Sequence, residues 1–324
     1  MAPAPVPSPA VTPWWRNRRL IPWLVQGAVG LAVLVLVAFL VGNLVRNLTA
    51  AGLLLSWGWL DNPAGFDIAE TWLPFDAGLP YWRGLLAGLV NTLRVVLLGL
   101  VGATLLGTLT GTAAFSSNAL LRGLARLYVE VIRNIPLLLQ LVFWYFVVFL
   151  QFPNGSEALQ LPGVVLAKSG LYLGTPELVN GVWSAPLRVS VEFGALLTGL
   201  VVYSGAFIAE VVRGGVAAVP PGQWEAARSL GFSPLQTLQR IVLPQALRVI
   251  VPGLNSQYIS LAKNSSLAVA CGYTDLYSVA ETTLNQTGRA VEVVLILLGS
   301  YLVIDLLISA VMNGVNQLVQ LQER

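Results

Sequence analysis

Two ionisable side chains stand out because they lie within apolar stretches of the chain: Arg133 and Glu210. Charges inside membrane-length apolar segments are costly, so they are candidates for function by default. The chemistry open to this chain is narrow. It contains no histidine, which removes histidine general bases and His-based metal sites, and it has no GxxxxGK[ST] phosphate loop. The two residues therefore indicate binding or ion pairing, and any nucleotide hydrolysis is expected on another subunit.

A polar stretch, Gln223 to Pro244, separates two strongly apolar ones. Pro220-Pro221 suits a first helical turn, and Gly231 suits a left-handed position at a helix end. Ser233-Pro234 then predicts the start of a second short helix, which we expect to break at Pro244. The sequence thus predicts a helical hairpin. A link lying on lipid headgroups and a docking site for a cytosolic protein are both open interpretations.

The first helix of this hairpin has features that suit a contact surface. Glu225 and Arg228 are three residues apart and so share a helix face. Ala226 and Ala227 give the same short helix small side chains, against which a partner could pack closely.

The elements that must position these residues are membrane spans. Of 324 residues, 56% are hydrophobic and 10% are charged, whereas about a quarter are charged in soluble domains. Five apolar stretches reach the length of about 20 residues that a span needs, and a sixth, Val249–Cys271, is interrupted by Pro252 and Gly253. The five are Ile21–Val45, Leu85–Phe115, Ile132–Phe152, Phe193–Val212 and Val291–Met312. The predicted fold is all-α, a polytopic membrane protein with about six transmembrane helices.

The arginines set the expected orientation, since cytoplasmic loops are enriched in Lys and Arg. They cluster in the N-terminal tail, in the link after the second span and around the polar hairpin. Both termini and the hairpin are therefore predicted to be cytoplasmic. The segments 46–83 and 151–188 face the other side, where we expect ordered surface structure rather than separate domains. Arg94 is expected to extend along its stem to that external surface.

The spacing of the hairpin residues resembles the EAA loop of ABC importer permeases. The residues that match are Glu225-Ala226-Ala227, Gly231, Ile241 and Leu243-Pro244. The stretches Asn91–Gly111, Glu130–Phe146, Ser204–Gly231 and Leu261–Val269 resemble the polar amino-acid uptake branch, which includes histidine and glutamine permeases. The first span and Asn62–Phe75 resemble the general L-amino-acid permeases. One departure is Asn134, at a place that this branch usually fills with glycine.

This resemblance implies a type I ABC importer permease core at 85–320, with the coupling loop at 213–245, preceded by a tail, an extra span and a periplasmic segment at 1–84. It implies a transport subunit in the bacterial inner membrane rather than an enzyme, with ATP and Mg bound by the partner ATPase and no cofactor on this chain. Implied partners are an ABC ATPase dimer, a second related permease (a heterodimer, with a homodimer as the alternative), a periplasmic amino-acid-binding protein and membrane lipid. A net charge of +3 does not favour nucleic acid. The residues implied for coupling are Glu225, Ala226, Ala227, Gly231, Leu243 and Pro244.

A free amino acid is a zwitterion, so its pocket needs a cation for the carboxylate and an anion for the ammonium. Arg133 and Glu210 form such a pair, and helix ends freed at Pro252-Gly253 could contribute. A structural ion pair between Arg133 and Glu210 is the alternative, and Lys263 is expected to pair with Asp305. Side chains that would complete the pocket are Tyr203, Ser204, Asn264, Ser265 and Ser266.

Two other classes of protein are alternatives to an ABC permease. A secondary transporter usually contains internal repeats, and none is visible in this sequence. A membrane enzyme would need a nucleophile–base or metal set, which a histidine-free chain barely offers.

Overall fold

The computed structural model describes residues 21–50, 52 and 55–320, in two compact units divided between Trp57 and Gly58. The first unit contains helix α1, Ile21–Ala50. Its sequence is apolar on every side, and its 30 residues give a length of about 45 Å. This helix contains the predicted first span, Ile21–Val45.

The second unit is a bundle of helices built around α2, Tyr81–Ala113, and α5, Val191–Ala217. Glycines of α2 let these two helices approach closely. A Cβ placed on Gly107 would lie 2.5 Å from Ile208 Cγ2, and one placed on Gly111 would lie 2.7 Å from the Ala209 carbonyl oxygen. The GxxxG spacing that permits such packing in membranes is therefore used for the α2–α5 contact.

The predicted third span, Ile132–Phe152, is bent near its start. Helix α3, Ala119–Arg133, meets α4, Leu137–Val142, at 105°, and α4 continues through a π-helical turn and a 3₁₀ turn to Gln151. Pro136 explains the bend, because it disfavours helical geometry at the residue before it. The Gln140 side chain donates to the carbonyls of Ile132 and Ile135, at 2.9 Å each, and so satisfies groups that the bend leaves open.

The bend also shows how Asn134 is accommodated at a position that the similar permeases usually fill with glycine. Its φ is −90°, an ordinary right-handed value, and its side chain donates to the Glu130 carbonyl at 2.7 Å. The backbone here does not need the freedom of glycine, so asparagine is compatible with this geometry.

Helix α8, Leu243–Asn264, passes through Pro252 and Gly253 without a break. The expectation of helix ends freed at these two residues is wrong. A Cβ on Gly253 would lie 2.7 Å from Val211 Cγ1, so this glycine allows α8 to pack closely on α5. A 3₁₀ segment, Ser265–Cys271, follows α8 and leads to α9, Leu276–Thr287, and α10, Ala290–Gln320.

By length and composition, α1, α2, α5 and α10 can cross a membrane, and the bent α3–α4 pair is a fifth candidate among the described residues. The predicted sixth span, Val249–Cys271, corresponds to most of α8 and the 3₁₀ segment, and it does not meet the same criterion. The mostly helical membrane fold is confirmed, with four to five candidate spans among the described residues.

Residues 159–189 form β-structure, which the prediction of ordered surface structure did not specify. Strands β1 (Leu159–Leu161), β2 (Val164–Ala167), β3 (Gly170–Leu173) and β6 (Leu187–Val189) form an antiparallel sheet in the order β1-β2-β3-β6. Strands β4 (Glu177–Val179) and β5 (Val182–Ser184) form a separate hairpin. Inward-facing residues of these strands and Ala158 form a small apolar cluster: Ala158, Val165, Ala167, Tyr172 and Trp183.

The segment before α2 packs on the bundle and does not form a separate unit. Trp59 and Ile68 are buried with Tyr81 of α2 and with Leu276 and Val279 of α9. The compact unit begins at Gly58, so it contains this segment together with the predicted permease core at 85–320.

Candidate functional site

The polar hairpin consists of α6, Pro221–Ser229, and α7, Pro234–Thr237. Gly231 has φ +79°. The amides of Gly231 and Phe232 donate to the carbonyls of Arg228 and Ala227, at 3.0 and 3.1 Å, which is the Schellman pattern of helix termination. Ser233 then forms a capping box with Gln236. The predicted caps are confirmed, and they hold the two short helices in a defined turn.

One face of the hairpin is anchored in the bundle. Ala227 is 1% exposed, Thr237 and Val242 are buried, and Trp224 packs against the cluster that contains Val216. The expectation that Ala226 and Ala227 both offer a surface to a partner is therefore wrong for Ala227. Its small side chain lets α6 lie close to this chain's own core.

The other face of the hairpin is exposed. It presents Glu225, Ala226 and Gly231, together with Leu230 and Leu235, whose exposed fractions are 75% and 61%. The Glu225 carboxylate forms no ion pair within the described part of the chain, and Arg228 instead donates to the Trp224 carbonyl at 3.3 Å. An exposed apolar rim around a free carboxylate is a surface that suits a protein partner with a matching cation.

The hairpin joins α8 without the break that the sequence predicted at Pro244. A π-helical turn, Leu238–Val242, runs directly into α8, and Pro244 lies in the first turn of that helix. The π-helical turn just before it accommodates the amide that proline lacks, because local 3₁₀ and π adjustments re-satisfy backbone groups near proline in membrane helices. The expected break at Pro244 is wrong, and the hairpin is continuous with α8.

Arg133 and Glu210 are brought together, as the sequence predicted, but a third residue joins them. The Glu210 carboxylate accepts two hydrogen bonds from Arg213, at 2.8 and 2.9 Å, whereas its distance to Arg133 is 3.5 Å. The Arg133 guanidinium also lies 5.1 Å from the centre of the Phe207 ring. The three charged groups line an open cavity of about 580 Å³ between α2, α3 and α5.

The other predicted pocket residues do not line this cavity among the residues described. Tyr203 lies near it, with its ring 4.9 Å from that of Phe207. Ser204 is buried within α5, and Asn264 is the last residue of α8. The hydroxyls of Ser265 and Ser266 donate to carbonyls one turn back, at 2.7 and 2.8 Å. The structure therefore does not assemble the predicted set into one pocket.

Lys263 lies 3.7 Å from Asp305 of α10, which confirms the predicted pairing. Arg94 is different. The expectation that it reaches the external surface is wrong, because it is 6% exposed and forms an ion pair with Glu70. Its guanidinium also lies 4.0 Å from the centre of the Phe193 ring.

Glu70 is at the centre of a polar cluster that sequence reasoning missed. Its second carboxylate oxygen accepts the Ser190 amide at 3.2 Å. Asn91 donates to the carbonyls of Glu70 and Thr274, at 2.7 and 2.8 Å. These bonds join the segment before α2, the start of α5 and the link before α9. The sequence did contain a signal for this cluster. Asn91 and Arg94 lie three residues apart in an apolar span, where each needs a polar partner.

The fold is a bundle of membrane-length helices. Its polar hairpin is exposed on one face and continuous with the bundle on the other. These features are typical of a membrane transport subunit that works with partner proteins. Residues 103–320 match the family described as "Binding-protein-dependent transport system inner membrane component". The chain belongs to this family, and it is a multi-pass inner-membrane permease of the ABC importer type rather than a secondary transporter.

Relatives match the chain over most of its length. It is 36% identical to YhdX of Escherichia coli K12, over 95% of this chain and 96% of that protein. It is 37% identical to AapQ of Rhizobium johnstonii, a general L-amino acid transport system permease protein, over 87% of each. Among solved structures, a crystal structure of an amino acid ABC transporter with histidines is similar, with 27% identity and a TM-score of 0.57, over 73% of this chain and 94% of that one.

Proposed function

We propose that this chain carries L-amino acids across the inner membrane as one permease of an ATP-driven importer. The substrate class is supported by the similarity to AapQ and to the amino acid transporter structure. A periplasmic binding protein delivers the amino acid, and a dimeric ATPase on the cytoplasmic side binds ATP and Mg and supplies the energy. A second, related permease completes the translocation path as a heterodimer.

The observation that carries the energy-coupling part of this proposal is the exposed face of the α6–α7 hairpin. The hairpin is capped at its turn, anchored through Trp224 and Thr237, and continuous with α8. A force applied to its outer face would therefore reach the bundle through rigid elements. In this proposal Glu225 and Ala226 contact the ATPase, Ala227 and Gly231 shape α6 and its turn, and Leu243-Pro244 starts the helix that receives the motion.

Reversing the charge of Glu225 tests the docking role. We expect Glu225→Arg to insert normally and to lose most ATP-driven uptake, because the free carboxylate would be replaced by a repelling cation at the interface. The matched control is Glu157→Arg, the same substitution at an exposed residue next to the β-strands. The measurement is ATPase co-purification with the permease, together with amino-acid uptake in proteoliposomes. Wild-type uptake by Glu225→Arg with its ATPase bound would contradict this role.

We propose that both termini and the hairpin face the cytoplasm. The support is the clustering of arginines at the hairpin end and of acidic residues in the opposite segments. The groove beside the hairpin is lined by Phe115 and Trp224, so the end of α2 and the hairpin lie at the same end of the bundle.

For Arg133 and Glu210, the geometry favours the structural role over direct substrate binding. Both Glu210 oxygens are engaged by Arg213, so this carboxylate is already neutralised without a ligand. We propose that the cluster holds α3 against α5. Substrate contact by Arg133, Glu210, Tyr203, Ser204, Asn264, Ser265 and Ser266 is the second candidate.

A further inference from the structure

A second cavity, of about 300 Å³, lies where three segments meet: Ala69-Glu70 before α2, the start of α5, and the link Gly272–Thr274 before α9. Its volume is at the lower end of the range of about 300–1,000 Å³ that small-molecule pockets occupy. The hydrogen bonds of Glu70 and Asn91 hold the three segments together. The cavity therefore has walls that are fixed independently of any ligand.

Arg188 and Glu192, which carry opposite charges, line this cavity. Neither forms an ion pair with the other or with any other described residue. Arg188 donates to the Ser169 carbonyl at 2.9 Å, and Glu192 has only a long contact of 3.4 Å with the Tyr145 hydroxyl. Glu70 also lines the cavity, but Arg94 and the Ser190 amide already engage its two oxygens. The uncompensated charges of the cavity are thus one cation and one anion.

Tyr273 is a second and independent indication of a ligand. It lines the cavity and is 2% exposed, and its hydroxyl oxygen interacts with the Arg94 guanidinium, but no described residue accepts its proton. Its ring is held in place by Phe193, at a centroid distance of 5.4 Å. A guanidinium only donates hydrogen bonds, so the proton of this buried hydroxyl is still free for an acceptor that enters the cavity.

We propose that this cavity binds the zwitterionic backbone of a free amino acid. Arg188 and the Tyr273 hydroxyl receive the α-carboxylate, and Glu192 receives the α-ammonium. Arginine suits a carboxylate because its planar fork donates to both oxygens. The site is separate from the Arg133–Glu210 cavity, where Arg213 already engages both oxygens of Glu210. The inference rests on the proposed function, since it names where the imported amino acid contacts this chain.

The test uses the purified importer complex in lipid nanodiscs, without the binding protein, and an equimolar mixture of the twenty ¹⁴C-labelled L-amino acids. We expect Glu192→Gln and Tyr273→Phe each to weaken binding at the site in this chain about 10- to 100-fold, the range expected for one hydrogen bond to a charged group. Tyr273→Phe removes a hydroxyl whose proton has no acceptor among the described residues and leaves the Arg94–Glu70 ion pair in place, so we expect the complex to assemble normally.

Matched controls are available outside the cavity. Tyr81→Phe removes a hydroxyl that bonds Gln286, and Glu157→Gln removes an exposed carboxylate. Both are expected to bind like the wild type. Binding isotherms of Glu192→Gln and Tyr273→Phe that superimpose on the wild type would overturn the inference, and so would a wild-type complex that imports amino acids but binds none in nanodiscs.

Uptake of the same mixture by wild-type proteoliposomes with the binding protein separates this inference from the proposed function. If the wild type imports no amino acid, the proposed substrate class is wrong. If it does import while the cavity variants bind normally, only the cavity assignment fails.

Discussion

At the scale of single residues, burial and partners decide what each charge in this chain can do. Arg94 is enclosed by Glu70 and by aromatic rings, so removing Glu70 would leave the buried guanidinium without its anion, which typically costs about 3–5 kcal/mol. The side chains of Arg133 and Arg213 are roughly two-fifths and one-half exposed, and solvent screens such pairs to about 0–1 kcal/mol. Loss of Glu70 is therefore expected to destabilise the fold more than a substitution in the second cluster.

This difference makes the Arg133 cluster testable by substitution. We expect Arg213→Gln to lower the melting temperature of the purified complex slightly more than Arg133→Gln, because Arg213 makes the two short bonds to Glu210. Both variants should still bind labelled amino acids as the wild type does. Loss of amino-acid binding in Arg133→Gln, with unchanged melting, would favour the pocket interpretation instead.

The predictions for single residues were correct where the interacting partners are close in the sequence. The caps at Gly231 and Ser233 depend on neighbours within a few residues, and they were predicted correctly. The partner of Arg94 lies 24 positions away in an irregular segment, and no periodicity links Glu70 to α2. Only the three-dimensional packing of that segment on α2 and α9 reveals the pair.

At the scale of elements, the apolar runs predicted most helices, while their breaks were harder to place. Pro252 looked like a break, yet α8 continues through it, because packing against α5 overrides the local preference. The β-structure was missed although it carries a strong signal. Asn180-Gly181, both with positive φ, connects β4 and β5, and an Asn-Gly pair between short strands is typical of a tight hairpin.

The contact between α2 and α5 gives a prediction for the glycines of α2. We expect Gly107→Ala to destabilise the purified protein by about 1–3 kcal/mol, the usual cost of overpacking, since its Cβ would lie 2.5 Å from Ile208 and 2.8 Å from the Gly205 carbonyl oxygen. Gly214→Ala in α5 is the matched control, because no atom lies within 4 Å of the added Cβ. Thermal unfolding in detergent provides the comparison. A Gly107→Ala variant at least as stable as Gly214→Ala would contradict the close packing.

At the scale of the whole molecule, α5 connects the two ends of the bundle. Glu192 in its first turn lines the cavity beside the β-structure, and Val216 near its other end packs with Trp224 of the hairpin. Its 27 residues span about 40 Å, and α8 runs beside it from the hairpin. A displacement of the hairpin therefore has two packed helices through which it can act on the distant cavity.

The orientation of these two ends in the membrane gives the last prediction. The chain has a single cysteine, Cys271, which is buried, so Cys271→Ala provides a background for labelling. We expect Lys168→Cys, in the exposed turn between β2 and β3, to react with a membrane-impermeant maleimide in sealed spheroplasts. Gly222→Cys, exposed in the first turn of α6 with open space around its Cβ, should react only after the membrane is opened. The Cys271→Ala background alone should stay unlabelled, and detergent should make both added cysteines reactive. Labelling of Gly222→Cys in sealed spheroplasts would place the hairpin outside the cell, where no ATPase could reach it, and would contradict both the orientation and the docking role.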